Sequence, residues 1–221
     1  MDCCSPGESP YDRQFDARHA AEKLADYRRK GARGLTRELI EALAGGGVEG
    51  KTVLDIGGGV GAIHHDLLRS GAASAVDVDA SRAYIAVARE EAERQGHADR
   101  VRYLDGDFVA LAGDVQPADL VALDRVICCY PDMTALVGRS AALARRRYGV
   151  VYPRDTWLGR VGFVVLNSWL RLSRSSFRVY LHRTAAVEAA ITAQGLVKQA
   201  QRMTLIWQLA LYERPSARIP S

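Results

Sequence analysis

A chain of 221 residues fits one α/β domain with a sizeable core and a small extension. Hydrophobic residues make up 48% and charged residues 25%, the balance of an ordinary globular protein, which sets aside disordered and fibrous classes. The formal net charge is +4 and no window approaches the ~20 apolar residues that cross a bilayer, which excludes a spanning helix.

The four cysteines fall in two adjacent pairs, Cys3-Cys4 and Cys128-Cys129, without the C-x-x-C spacing of a zinc or redox centre. Adjacent cysteines make strained disulfides, and the polar N-terminus does not read as a secretory leader, so the expectation is reduced thiols in a cytoplasmic protein. Residues 1–10 carry two prolines and a glycine and read as frayed. From 11 to about 44 the spacing is helical, with Phe15, Ala20, Leu24 and Tyr27 recurring at three to five residues. Gly31 and Gly34 divide it into two helices, and Gly45-Gly46-Gly47 stops the second.

Residues 52–56 read as a buried strand, followed by a glycine loop and a helix to about 70. A strand over 74–78 precedes a helix over 81–95, with Ser81 as N-cap and Gly96 just past its end. Strands follow near 101–104 and 120–123, then a helix over about 133–145 and a strand over 148–152. Alternating strands and helices predict a parallel sheet covered on both faces. The last third differs: an apolar stretch over 159–172, a helix over 185–194 ended by Gly195, and strands over 196–203 and 205–213 whose short connection permits only an antiparallel hairpin.

The chemistry concentrates in Val53-Leu54-Asp55-Ile56-Gly57-Gly58-Gly59-Val60-Gly61, a strand feeding a glycine turn that opens a helix. Glycines let the backbone bend sharply and approach a ligand, and the helix start offers free N–H groups. Gly57-x-Gly59-x-x-Ala62 also fits a dinucleotide fingerprint, so the loop alone does not separate S-adenosylmethionine from NAD. Asp55 at the strand end suits a ligand with an ammonium and a sulfonium better than a pyrophosphate. Asp79, with Asp77 as its rival, stands where a carboxylate accepts from ribose hydroxyls. Gly106-Asp107-Phe108 follows the third strand, where a carboxylate can accept from an adenine amino group while an aromatic packs on the ring.

Taken together, the D-x-G-x-G-x-G loop, the phrase Asp79-Ala80-Ser81-Arg82-Ala83-Tyr84-Ile85-Ala86-Val87-Ala88-Arg89 and the G-D-F resemble the motifs of class I S-adenosylmethionine (SAM) methyltransferases over residues 51–153. The resemblance implies a Rossmann-like α/β fold with a mostly parallel seven-stranded sheet and an antiparallel C-terminal hairpin. It implies SAM as cofactor, held by Asp55, Gly57, Gly58, Gly59, Gly61, Asp79, Ala80, Asp107, Phe108 and Arg125. The expected organisation is a helical extension over 1–50 capping the cofactor site, a SAM-binding domain over 51–214 with an apolar insertion at about 157–178, and a tail over 215–221.

The fourth-strand loop through Cys128-Cys129-Tyr130-Pro131, and the later Arg178-Val179-Tyr180-Leu181-His182-Arg183, are similar to the magnesium-protoporphyrin methyltransferases, which esterify a propionate. Cys129 stands where that family keeps a histidine, and the loop is one residue longer. The resemblance implies an apolar small-molecule acceptor methylated on a carboxylate or phenol oxygen. Cys129, Tyr130, Arg178 and Arg183 are the candidate acceptor contacts, and His182 and Tyr27 the candidate catalytic groups. Alternation along 178–182, if extended, puts Arg178, Tyr180 and His182 on one face. His64 and His65 read as structural, and no metal is expected. The base-methylating N-P-P-Y phrase and an aromatic-interleaved basic stripe are both missing, so nucleic acid is not an expected partner. The stretch 161–172, flanked by Arg160, Arg171 and Arg174, reads as a core helix, a lid over an apolar acceptor, or an interfacial helix giving weak membrane-surface association.

Overall fold

The computed structural model describes residues 10–215. The Cys3-Cys4 pair, all but the last residue of the stretch 1–10 read as frayed, and all but the first residue of the expected tail 215–221 lie outside the described residues. Three helices lead: α1 (Pro10–Gln14), α2 (Ala17–Lys30) and α3 (Gly34–Ala44). The break between the first two was not expected. It falls at Asp16, whose side chain accepts from the His19 N–H and caps α2.

Strands and helices then alternate: β1 (Thr52–Ile56), α4 (Ala62–Arg69), β2 (Ser74–Asp79), α5 (Arg82–Gln95), β3 (Val101–Asp105), α6 (Phe108–Leu111), β4 (Ala118–Asp124), α7 (Met133–Ala142) and β5 (Ala144–Pro153). α8 (Trp157–Leu172), α9 (Thr184–Thr192), β6 (Val197–Met203) and β7 (Trp207–Glu213) complete the order. The seven strands lie in the order β3-β2-β1-β4-β5-β7-β6. β1 to β5 pair in parallel, and β7 runs antiparallel to both β5 and β6. This is the Rossmann-like class I methyltransferase arrangement.

The strand period of two divides the core. Leu54, Ile56, Val121, Leu123 and Tyr148 face α6, α7 and α9. Val53, Leu120, Ala122 and Val151 face α3 and α4. Both faces are apolar because helices cover both.

Two expectations fail locally. α7 stops at Ala142 rather than near Arg145, and Arg145, Arg146 and Arg147 are strand. Arg147 pairs between Leu120 of β4 and Glu213 of β7, and its Nε donates to Glu213 and its Nη1 to the carbonyls of Ala42 and Leu43. Residues 174–183 form no strand. Tyr180 and His182 still stack, at 6.1 Å and 22°, but Arg178 turns back to the carbonyls of Ser175 and Phe177.

Candidate cofactor site

A cavity of about 570 Å³ opens at the carboxyl ends of β1, β2 and β4, the edge where doubly wound sheets hold ligands. Its floor is the glycine loop. Gly57, Gly59 and Gly61 have φ of +66°, +60° and +80°, where a side chain is strained. A Cβ on Gly57 would lie 2.5 Å from Val126, and one on Gly58 2.5 Å from Asp77 Oδ1 and 2.9 Å from Asp55 Oδ2. Gly61 opens α4.

Carboxylates come up from the strand ends. Asp55 is buried; its Oδ2 accepts from His64 Nδ1 at 2.9 Å, while its Oδ1 has no partner and its side chain borders the cavity. Asp79 also borders it, accepting from the Gly59 N–H at 3.0 Å and the Ser81 N–H at 2.8 Å. Burial, foremost, pushes Asp79 up to about 6. Asp77 lies wholly buried and off the cavity wall, its carboxyl held well above the ordinary range by burial and then by Asp55 and Asp79. Asp107 caps α6 through the Val109 N–H at 2.8 Å and accepts from Tyr130 Oη at 2.8 Å.

Ala80, Phe108, Arg125, Cys129 and Tyr130 are on the wall as well. Arg125 takes a φ of +62°, donates to Thr36 Oγ1 and Asp124 Oδ2 at 3.1 Å, and lies 5.4 Å over the Trp207 ring. Of the two candidate catalytic groups, Tyr27 borders the cavity but its hydroxyl donates to Asp66 Oδ1 at 2.5 Å. Burial and that carboxylate raise the Tyr27 phenol. His182 lies off the wall and donates through Nε2 to the Tyr130 carbonyl at 2.9 Å. Arg178 and Arg183 also lie off it, Arg178 in a groove against α8. His64 and His65 are buried under the loop, His65 Nδ1 lying 2.8 Å from His97 Nε2.

The sequence put the 1–50 extension over the cofactor site without singling out which of its side chains would reach the cavity. Tyr11, Phe15, His19 and Lys23 line the cavity from α1, α2 and the bend between them. Phe15 packs 5.9 Å from Tyr84 and 5.6 Å from Phe177, and Tyr11 Oη donates to the Cys129 carbonyl at 3.0 Å. Their four-residue spacing, three of them ring-bearing, was the available signal. A glycine cradle, a buried acid with one oxygen unpartnered and two further carboxylates along one edge fit a nucleoside ligand carrying positive charge.

Residues 53–146 match the family described as a methyltransferase domain. The ribosomal protein L11 methyltransferase of Edwardsiella ictaluri is 35% identical over 122 residues, 52% of this chain and 42% of that protein. The chain thus spans about two fifths of the length of the curated relatives it matches. The magnesium protoporphyrin IX methyltransferase of Synechocystis PCC 6803, solved with bound SAH, has a TM-score of 0.65 at 20% identity, covering 93% of each chain. The [4+2]-cyclase SpnF has a TM-score of 0.69 at 11% identity, covering 97% of this chain and 98% of its own. With its ordered loop and strand-end acids, the chain carries a class I methyltransferase domain, and the cofactor of that domain is S-adenosyl-L-methionine.

Proposed function

We propose that the chain is a SAM-dependent methyltransferase that methylates an oxygen, best a carboxylate, of an apolar small molecule. The observation that carries this reading is the two-sided cavity: acids from the sheet edge on one wall, and Tyr11, Phe15 and Tyr84 on the other. Bound SAM supplies a methyl group already activated on a sulfonium. Asp55 Oδ1 would accept from the ammonium, Asp79 from the ribose hydroxyls and Asp107 from the adenine amino group, with the glycine-loop backbone against the nucleoside. The aromatic wall excludes water and aligns the acceptor, which are the main tasks in such a transfer.

Tyr27 is committed to Asp66 and His182 to the Tyr130 carbonyl. That favours an acceptor that needs no proton removed, and a carboxylate is one. For a phenol, His19 on the cavity wall replaces them as candidate base. The L11 relatives support a second reading, a protein acceptor. Since the same fold also serves SpnF, a cyclase, fold alone does not decide the reaction.

The test is a panel of apolar carboxylic acids and phenols, magnesium protoporphyrin among them, with ribosomal protein L11 as comparison, read by mass spectrometry. The expected product is a methyl ester, cleaved by mild alkali. An alkali-stable ether points to a phenol, and methylated L11 overturns the small-molecule reading. Cofactor binding with no turnover across the panel overturns catalysis.

A further inference from the structure

α8 is built inside out. Of its sixteen residues only Leu170 is fully buried, while Trp157, Val161, Val164, Val165, Trp169 and Leu172 are 55–84% exposed. At 100° per residue those six fall within an arc of roughly 140°, a continuous apolar face. The opposite arc holds the helix to the protein, where Asn167 donates to the Val179 carbonyl at 2.8 Å and accepts from its N–H at 3.0 Å. The turn between β6 and β7 is apolar and open as well, Leu205 and Ile206 being 82% and 57% exposed. Arg154 joins the two, its N–H donating to the Ile206 carbonyl at 2.8 Å just before α8 begins. Trp207, the first residue of β7, lies under Arg125 of the cavity wall. A contiguous apolar surface of this kind marks a binding face.

Charge decides the occupant. α8 carries Arg160 and Arg171 and no carboxylate, and Arg174 follows it. Arg160 is paired with Asp155, whereas Arg171 and Arg174 have no ion-pair partner among the described residues. Packing α8 on a second copy would set arginines against arginines with no acid on the helix to answer them. An anionic lipid surface answers them, and the tryptophans near both ends suit its headgroup layer. At 1.5 Å per residue the helix is about 24 Å long, and no helix among the described residues is long and apolar enough to cross a membrane.

We propose that α8 and the β6–β7 turn lie in the surface of an anionic bilayer, which presents an apolar acceptor to the adjoining cavity. The docking stands on the surface alone; the delivery rests on the function proposed above. The test is flotation of the full chain with vesicles of phosphatidylcholine mixed with phosphatidylglycerol, and with phosphatidylcholine alone. The parent should float with the mixed vesicles, bind the neutral ones at least about tenfold less, and be released by high salt. The double variant Val165→Glu/Trp169→Glu should lose flotation and keep the parent's affinity for S-adenosylhomocysteine. A parent that stays unbound overturns the proposal. So does a dimer in sedimentation that the double variant dissociates, since the face is then covered by a second copy. Flotation without turnover leaves the docking intact and overturns only the acceptor reading.

Discussion

Residues 52–124 and the helix α8 are both rich in apolar side chains, and they place them oppositely. In the first, alternate residues of each strand enter one of two cores, and the acids at the strand ends gather beneath and beside the glycine loop. In the second, the apolar side chains point outward and a single leucine enters the protein. The lesson is that apolar content fixes which residues leave water, and the neighbours available in the chain decide where they go. The sheet finds its partners within the chain, and α8 finds few.

The sharpest way to break the first half of this comparison is Gly57→Ala. Positive φ and a 2.5 Å approach to Val126 act together, so the variant should lose about 2–5 kcal/mol of stability and its cofactor binding, read by thermal melts and titration. Within α8 the contrast is direct. Leu170→Ala should cost about 2–4 kcal/mol, whereas Val165→Ala should stay within about 0.5 kcal/mol in chemical denaturation. Equal effects would mean that the outward face is packed after all.

Asp79→Ala should weaken S-adenosylhomocysteine binding by about 1–3 kcal/mol, because two hydroxyls lose their acceptor. The same residue gives a pH signature. Its folded pKa, about 6, lies above its ordinary 3.8, so the folded protein holds a proton that the unfolded chain has released. The stability it contributes is present below about pH 4 and lost as pH rises to about 6. In cofactor-free melts, the difference between parent and Asp79→Asn should change over that interval and be flat above it. S-adenosylhomocysteine affinity should instead rise through about pH 6, as the carboxylate becomes free to accept. The smallest effect belongs to Arg183→Ala: exposed and off the cavity wall, it should leave stability within about 0.5 kcal/mol and cofactor affinity unchanged.

The cofactor half was readable because its chemistry is local. A strand, a glycine turn and a helix start within ten residues already define where Asp55 must stand, and Asp79 and Asp107 follow their strands by the same rule. Other contacts depend on distant meetings. Tyr11 meets Cys129 across 118 residues, and Arg147 reaches Ala42 across 105. No spacing along the chain announces either. The sequence therefore set Arg178 beside the acceptor, while the fold spends its guanidinium on its own loop; it read Phe15 only as a helix-packing position and did not single out His19, and both border the cavity. The end of α7 was misplaced for the same reason, since the strand at 145–147 is made by pairing with the distant Leu120 of β4 and Glu213 of β7.

The central claim is that the glycine loop, the acids Asp55 and Asp79 of β1 and β2, and Asp107 at the cap of α6 form the SAM site. Isothermal titration of the full chain with S-adenosylhomocysteine, beside Asp79→Ala, tests it most directly. One-to-one binding with a dissociation constant below about 0.1 mM, weakened about fivefold or more in the variant, is the predicted result. No heat at millimolar ligand, or an affinity indifferent to Asp79, would contradict it.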